Sequence, residues 1–210
     1  MTKRNTKEII LIESLNLFAR KGYDGVSVRD IAGKVGIKQS SLYKHYKNKQ
    51  DIFDNIVLKM EEKFNDISKT LELPEGDINE IARKYGGSGI DILKKISRNI
   101  FVYYLKDSYA SKFRKMLNIE KYKNKDIEQI YRKVYIDIPI SYQKELFNEM
   151  IFQGFMKDFD SKIMALQFYA PIFTLLNKYD GIVEKEDEAL TILDKHIEQF
   201  DKLYRKEKIN

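Results

Sequence analysis

Apolar residues recur at spacings of three and four along almost the whole chain, and no stretch alternates long enough to make a useful strand. A period near 3.6 marks amphipathic helices, so the sequence is confined to an all-α architecture of about nine helices. Asn5-x-x-Glu8 is a capping pair ahead of Ile10, Leu11, Leu15, Leu17 and Phe18, and Gly22 closes that helix. Ser27-x-x-Asp30 opens a short second helix with Ile31, Ala32 and Val35 inward, and Gly36 stops it. A third short helix is expected from about Gln39 to Tyr46. Asn48-x-x-Asp51 caps a long fourth helix with Phe53, Ile56, Val57, Met60, Phe64, Ile67 and Leu71 on one stripe.

Leu73-Pro74-Glu75-Gly76 breaks the chain. A helical piece from Ile78 to Tyr85 is expected to end at Gly86-Gly87-Ser88-Gly89, which reads as the most flexible segment. Helical patterns resume over Ile92 to Tyr103, Phe113 to Leu117 and Asp126 to Phe155, the last interrupted by Pro139. Ser161 to Tyr179 is apolar nearly all round, with Pro171 inside it. The last helix, about Glu186 to Arg205, carries Ala189, Leu193, His196, Phe200 and Leu203 on one stripe.

The charge is divided unevenly. Residues 1–50 hold eleven Lys/Arg against four Asp/Glu, a net +7, whereas the other 160 residues hold 27 against 28, a net −1. Such asymmetry fits a polyanion-binding head on a near-neutral body. The aromatics are divided the other way: four of 26 Phe/Tyr lie in residues 1–50, and sixteen lie between Phe101 and Phe173. With no Cys and two His, thiolate metal sites, papain-like chemistry and a multi-His metal site within one chain are excluded. No Ser or Asp arrangement near His45 or His196 makes a triad, so no enzyme function, metal or cofactor is assigned. No run of 18 apolar residues occurs, and Glu8, Glu13 and Arg20 interrupt the N-terminal apolar positions, so the expectation is no membrane span, no secretory signal and a cytoplasmic setting.

Residues 27–49, SVRDIAGKVGIKQSSLYKHYKNK, follow a helix-turn-helix plan. Ile31, Val35, Ile37 and Leu42 would pin two helices together and leave Gln39, Ser40, Tyr43 and Lys44 facing out. Gln pairs bidentately with adenine, Lys reaches guanine or phosphate, and Ser contacts either. The N-terminus of the fourth helix at Asn48 and Lys49 is suited to an anion by its dipole and free N–H groups.

This unit resembles the TetR-type transcriptional regulators over roughly residues 6–58. Ile10, Leu17, Phe18, Gly22, Tyr23, Ser27, Val28, Ile31, Ala32, Gly36, Leu42, Tyr43, His45, Tyr46 and Lys49 carry the resemblance. It implies a homodimer on an inverted repeat of double-stranded DNA, with recognition helices roughly 34–36 Å apart, and a repressor released by a small molecule. By matching position, Arg29, Gln39, Ser40, Ser41, Tyr43, Lys44, His45 and Lys49 are DNA contacts, with Ser27 and Lys38 beside them. Arg29 and Gln39 are expected to read bases, and Ser27, Tyr43, His45 and Lys49 to hold phosphates. Lys38 stands where a small hydroxyl residue often caps the recognition helix, so that helix starts late or forms fully only on DNA.

Residues 1–48 are therefore expected to be a DNA-binding domain and 49–210 a ligand-binding and dimerisation domain, with the helix over 49–71 joining them as a lever. Tyr103, Tyr104, Tyr109, Phe113, Tyr131, Tyr135, Phe147 and Met150 are expected to line a site for a lipophilic or aromatic effector, with Glu120, Asp137 or Glu145 assisting if the effector is cationic. Leu166, Tyr169, Phe173, Leu193, His196 and Phe200 are expected at a four-helix dimer interface. The alternative is a DNA-binding structural or division-control protein of the same fold without a small-molecule ligand.

Overall fold

The computed structural model describes residues 5–70 and 76–207. Leu71 and the Leu73-Pro74-Glu75 break lie outside the described residues, as do the side chains of Phe64 and Ile67. The helices are α1 (Thr6–Lys21), α2 (Val28–Val35), α3 (Gln39–Leu42), α4 (Lys49–Thr70), α5 (Ile78–Ser88), α6 (Ile90–Lys106), α7 (Ser108–Glu120), α8 (Lys125–Arg132), α9 (Ile138–Phe152), α10 (Ser161–Lys178) and α11 (Glu186–Tyr204). A π-helical turn, Lys133–Asp137, joins α8 to α9 without a break, and no strand occurs among the described residues. The fold is all-α.

The chain forms two compact units. One holds the residues up to Asp66 together with Ser108–Tyr131, and the other holds Ile67–Asp107 and everything from Arg132 onward. In the first unit α1 packs on α2 and α7, and α2 on α3. Ile10, Leu15, Phe18, Ile31, Leu42, Ile52 and Ile56 are essentially inaccessible to solvent there, as are Phe113, Met116 and Leu117 of α7. Gly22 ends α1 at φ 76°, a left-handed conformation that glycine adopts without strain. The carboxylate of Glu120 lies so close that a Cβ on Gly22 would meet it at 2.0 Å. Glu120 is thus buried against the end of α1, in the unit that carries the head.

In the second unit α9 packs on α5 and α10, while α6 and α10 pack on α11. Phe147, Phe168 and Phe200 stack at its centre, with ring centroids 4.9–5.5 Å apart.

Three elements differ from the sequence reading. First, α3 stops at Leu42. Lys38 gives it no side-chain cap, and the amides of Lys44 and His45 bond three residues back to Ser41 and Leu42, tightening the chain into turns. Second, the expected flexible Gly86-Gly87 segment is the last turn of α5. Gly86 is there because the ring of Phe155 lies 2.2 Å from where a Cβ would be. Third, Pro139 does not end the helix: the chain passes from α8 through the π turn into α9, and the Tyr135 carbonyl four residues before Pro139 accepts from the Tyr169 hydroxyl at 2.8 Å in place of the missing N–H. Pro171 does lie inside α10. The Nε2 atom of His196 on α11 is 2.8 Å from the carbonyl oxygen of Phe168, one turn before that proline.

Candidate nucleic-acid interface

The reading face of the head is set by what its two short helices bury. Ile31, Ala32 and Val35 of α2 and Leu42 of α3 face inward, at most 4% exposed. The starts of α2 and α4, on either side of the uncapped α3, are secured by side chains. Ser27 Oγ accepts from the Asp30 amide at 3.1 Å, and Asp30 Oδ2 accepts from the Ser27 amide at 2.8 Å, closing a capping box. The Ser27 hydroxyl also donates to Asp30 Oδ2 at 2.5 Å, and this bond first, then the one from the Ser27 amide, holds the Asp30 carboxyl below its ordinary pKa. Gly36 adopts the left-handed conformation at φ 75° that turns the chain from α2 towards α3. At α4, Asn48 Oδ1 accepts from the Asp51 amide and Asp51 Oδ2 accepts from the Lys47 amide, each at 2.8 Å.

With the inner face fixed, Arg29, Lys38, Gln39, Ser40, Tyr43, Lys44 and His45 are all exposed, and Ser41 is half-buried. Gln39 and Tyr43 stand one turn apart on the same side, their side-chain polar atoms 3.4 Å apart. Arg29, Lys38 and Lys44 make no ion pair with any described residue. The arrangement offers amide, hydroxyl and cationic groups on one rigid surface, the chemistry that base edges and phosphates require.

Two expected contacts are otherwise engaged. The Lys49 ammonium donates to the carbonyls of Tyr23 at 2.9 Å and Val26 at 3.1 Å and lies 4.1 Å from the centre of the Tyr23 ring. Its charge clamps the loop after α1 instead of standing free for phosphate. Ser27 is likewise committed to its capping box. Sequence spacing identified both positions but not their internal partners. Tyr46 is structural too. Its hydroxyl donates to the Lys7 carbonyl at 3.1 Å, and burial first, then the nearby Asp51 and Glu8, push its phenol up to about 12.

The expected effector residues fall into both units. Tyr109, Phe113 and Tyr131 belong to the unit that carries the head, where the Tyr109 hydroxyl donates to the Ile56 carbonyl at 2.9 Å. Tyr103, Tyr104, Tyr135, Phe147 and Met150 belong to the other unit. Phe147 and Met150 are core, at most 1% exposed, and Tyr135 is buried as well. Tyr103 and Tyr104 are half-buried neighbours, and Tyr103 lines an open cleft of about 510 Å³ beside Arg98, Asn99, Val102, Lys106 and Leu190. Arg98 and Lys106 were not singled out in the sequence, because their placement depends on how α6 meets α11.

The expected dimer residues also divide. Leu193 and Phe200 are at most 4% exposed within this chain and have no surface left for a partner, and His196 is tied to Phe168. Leu166 is exposed, and Tyr169 and Phe173 are half-buried, with the Tyr169 hydroxyl donating to the Tyr135 carbonyl at 2.8 Å. Among the described residues no helix is long and apolar enough to cross a membrane, and no group of three or more metal-capable side chains clusters.

Comparison with known proteins agrees with this geometry. Residues 10–56 match the family described as bacterial regulatory proteins, tetR family. The biofilm operon icaADBC negative transcriptional regulator IcaR of Staphylococcus epidermidis is 47% identical over 47 residues, 22% of this chain and 25% of that protein. IcaR of Staphylococcus aureus is 27% identical over 51% of this chain and 87% of that protein. Among solved structures, SmeT, the repressor of the Stenotrophomonas maltophilia multidrug efflux pump SmeDEF, superposes with a TM-score of 0.63 at 18% identity over 99% of this chain and 94% of its own. A Mesorhizobium loti protein assigned to the TetR family superposes with a TM-score of 0.67 at 17% identity over 98% and 100%. Residues 10–56 are thus a helix-turn-helix head of the kind found in the tetR family of bacterial regulatory proteins, and the chain has the all-α fold of the TetR-type regulators it superposes on.

Proposed function

We propose that the protein is a homodimeric repressor of an inverted-repeat operator, released when a small molecule binds its second unit. The observation that carries the reading is the outward set Gln39, Ser40, Tyr43 and Lys44, held by a buried Ile31–Val35–Leu42 underside in the segment that matches the family. The sense of regulation is supported by the relatives: IcaR is named a negative regulator and SmeT a repressor. An effector is supported by a SmeT complex with triclosan and by a Saccharomonospora viridis regulator in complex with choline, both of this fold. Dimerisation is supported by an outer apolar stripe. Ile163, Leu166 and Phe173 lie along α10, and Ile192 and Leu203 lie on α11, with Leu203 62% exposed. A stripe of this kind needs a cover, and a second copy supplies one by symmetry.

The test is selection of binding sites from random duplex DNA at about physiological ionic strength. Enrichment of an inverted repeat with half-sites roughly 34–36 Å apart, or a multiple of that, is expected. Weak, salt-sensitive binding with no enriched sequence would overturn the reading.

A further inference from the structure

The turn between α1 and α2 places a reactive pair of residues inside the contact that holds it. Tyr23–Val26 is one tight turn, closed by the Val26 amide donating to the Tyr23 carbonyl at 3.3 Å. Its central residues, Asp24 and Gly25, are exposed. The Asp24 carboxylate and the Gly25 amide make no hydrogen bond or ion pair with any described residue. The glycine is imposed by packing: a Cβ there would lie 2.4 Å from the Lys21 carbonyl oxygen at the end of α1. The two carbonyls flanking the pair, those of Tyr23 and Val26, are the ones that take the Lys49 ammonium.

We propose that Asp24 is a self-modifying site: it converts to isoaspartate through the Gly25 nitrogen, and the conversion unlatches the turn and takes the head off DNA. The chemistry needs only water. The Gly25 nitrogen attacks Cγ of Asp24, and one carboxyl oxygen leaves as water with the amide proton, closing a five-membered succinimide. Neighbouring groups held in one residue pair react far faster than separate molecules. Glycine has no side chain to shield its nitrogen, and neither group must first give up a bond. Water then adds back to the ring. Where it adds at the main-chain carbonyl of Asp24, the original peptide bond breaks and Gly25 stays attached through Cγ. The mass is unchanged, but the main chain is one methylene longer. That methylene enters between the two carbonyls that Lys49 bridges and just ahead of the Ser27 cap, so the clamp opens and α2 shifts with Arg29. The loss of DNA binding rests on the regulator reading above, and the conversion does not.

A second Asp–Gly pair supplies an internal control. Tyr23-Asp24-Gly25-Val26 and Tyr179-Asp180-Gly181-Ile182 are alike in sequence, so their intrinsic rates match. Asp180, however, is half-buried and has a partner. The test incubates the full-length protein at neutral pH, digests it with trypsin and follows peptides 22–29 and 179–185, with isoaspartate scored by an isoaspartate methyltransferase. In the folded protein the first peptide is expected to convert while the second lags severalfold, and in urea the two should convert alike. Asp24→Glu, which would need a six-membered ring, should stay unconverted. The aged unaltered protein should lose affinity for the duplex enriched in the selection above in step with conversion, and aged Asp24→Glu should keep it. Circular dichroism identifies a misfolded Asp24→Glu, and the comparison of the two peptides then decides. No conversion at Asp24, or conversion no faster than at Asp180 in the folded protein, would overturn the site. Conversion with duplex affinity unchanged would overturn the unlatching. If the selection enriches no duplex, the regulator reading alone fails, and a denaturation midpoint that falls with age in the unaltered protein but not in Asp24→Glu decides the unlatching instead.

Discussion

The head and the body use the same cations in opposite ways. Arg29, Lys38 and Lys44 stand exposed on the head without an ion pair to any described residue. Lys94, Arg98 and Lys106 of the body each face an acid on the neighbouring helix. A charge without a counter-ion keeps its reach towards a polyanion, whereas a paired one becomes a weak clasp between helices. Net charge alone does not distinguish the two, and Lys49 shows why. It lies in the most basic segment, yet its ammonium is occupied by two carbonyls and a ring.

The largest expected effects test whether each region depends on its own core. Phe18→Ala in the head and Phe147→Ala in the body each remove a ring at most 1% exposed, at a cost of about 3–5 kcal/mol in chemical denaturation. Phe18→Ala should also abolish operator binding. Retained affinity would mean that the reading face does not need the head's core. Gly86→Ala forces a methyl into the ring of Phe155 and should cost about 1–3 kcal/mol by the same measurement. An unchanged denaturation midpoint would return Gly86-Gly87 to the status of a loose segment.

Binding measurements sharpen the contrast between the two kinds of cation. Gln39→Ala should cost about 1–3 kcal/mol of operator affinity and relax preference at one base pair. Lys44→Gln should weaken all duplexes alike and lower the slope of log affinity against log salt by about one, while Lys94→Gln in the body should leave that slope alone. A fall in slope with Lys94→Gln would erase the distinction.

Smaller effects concern α2. Ser27→Ala removes its cap and should cost about 1 kcal/mol. Asp30 gives up its proton more readily in the folded head than in the unfolded chain. Its contribution is therefore full above the ordinary carboxylate pKa and is lost as pH falls through the lowered one. Acid titration of stability should consequently be shallower in Ser27→Ala than in the unaltered protein, and parallel curves would remove the capping box from the account. The smallest change is Gly33→Ala. A methyl there meets nothing within 4 Å, so helix propensity alone predicts a gain of up to about 1 kcal/mol. A loss would reveal a contact that α2 does not show.

The head was legible in the sequence because its signals are local. Asn5, Ser27 and Asn48 each accept from an amide three residues on, and Gly22 and Gly36 each turn the chain with a positive φ, all within a few residues of the pattern that announces them. The body was read less well because its decisive partners lie far apart in the chain. Gly86 looks like a hinge until Phe155 is placed against it. Leu193 and Phe200 look like an interface until Phe147 and Phe168 fill the space they face. The effector residues were chosen by aromatic density, and density does not say which rings a core consumes. Arg98 and Lys106 are ordinary helix-surface cations until α11 supplies their register.

That register has a consequence of its own. Lys94 faces Glu198, Arg98 faces Asp194 and Lys106 faces Glu186, a ladder that steps by turns up α6 and down α11. At one rung such a ladder tolerates a slip: slide one helix by four residues and Lys94 meets Asp194. What tells the two alignments apart is the single step without charge, which falls on Val102 and Leu190. The same slide would set Arg98 against Leu190 and Val102 against Glu186, stranding a cation and an acid on apolar neighbours. Val102 and Leu190 thus serve as the index mark on the scale: a slide of one turn keeps one of the three ion pairs and sets charged groups against apolar ones, so the uncharged step adds to what the buried core already selects.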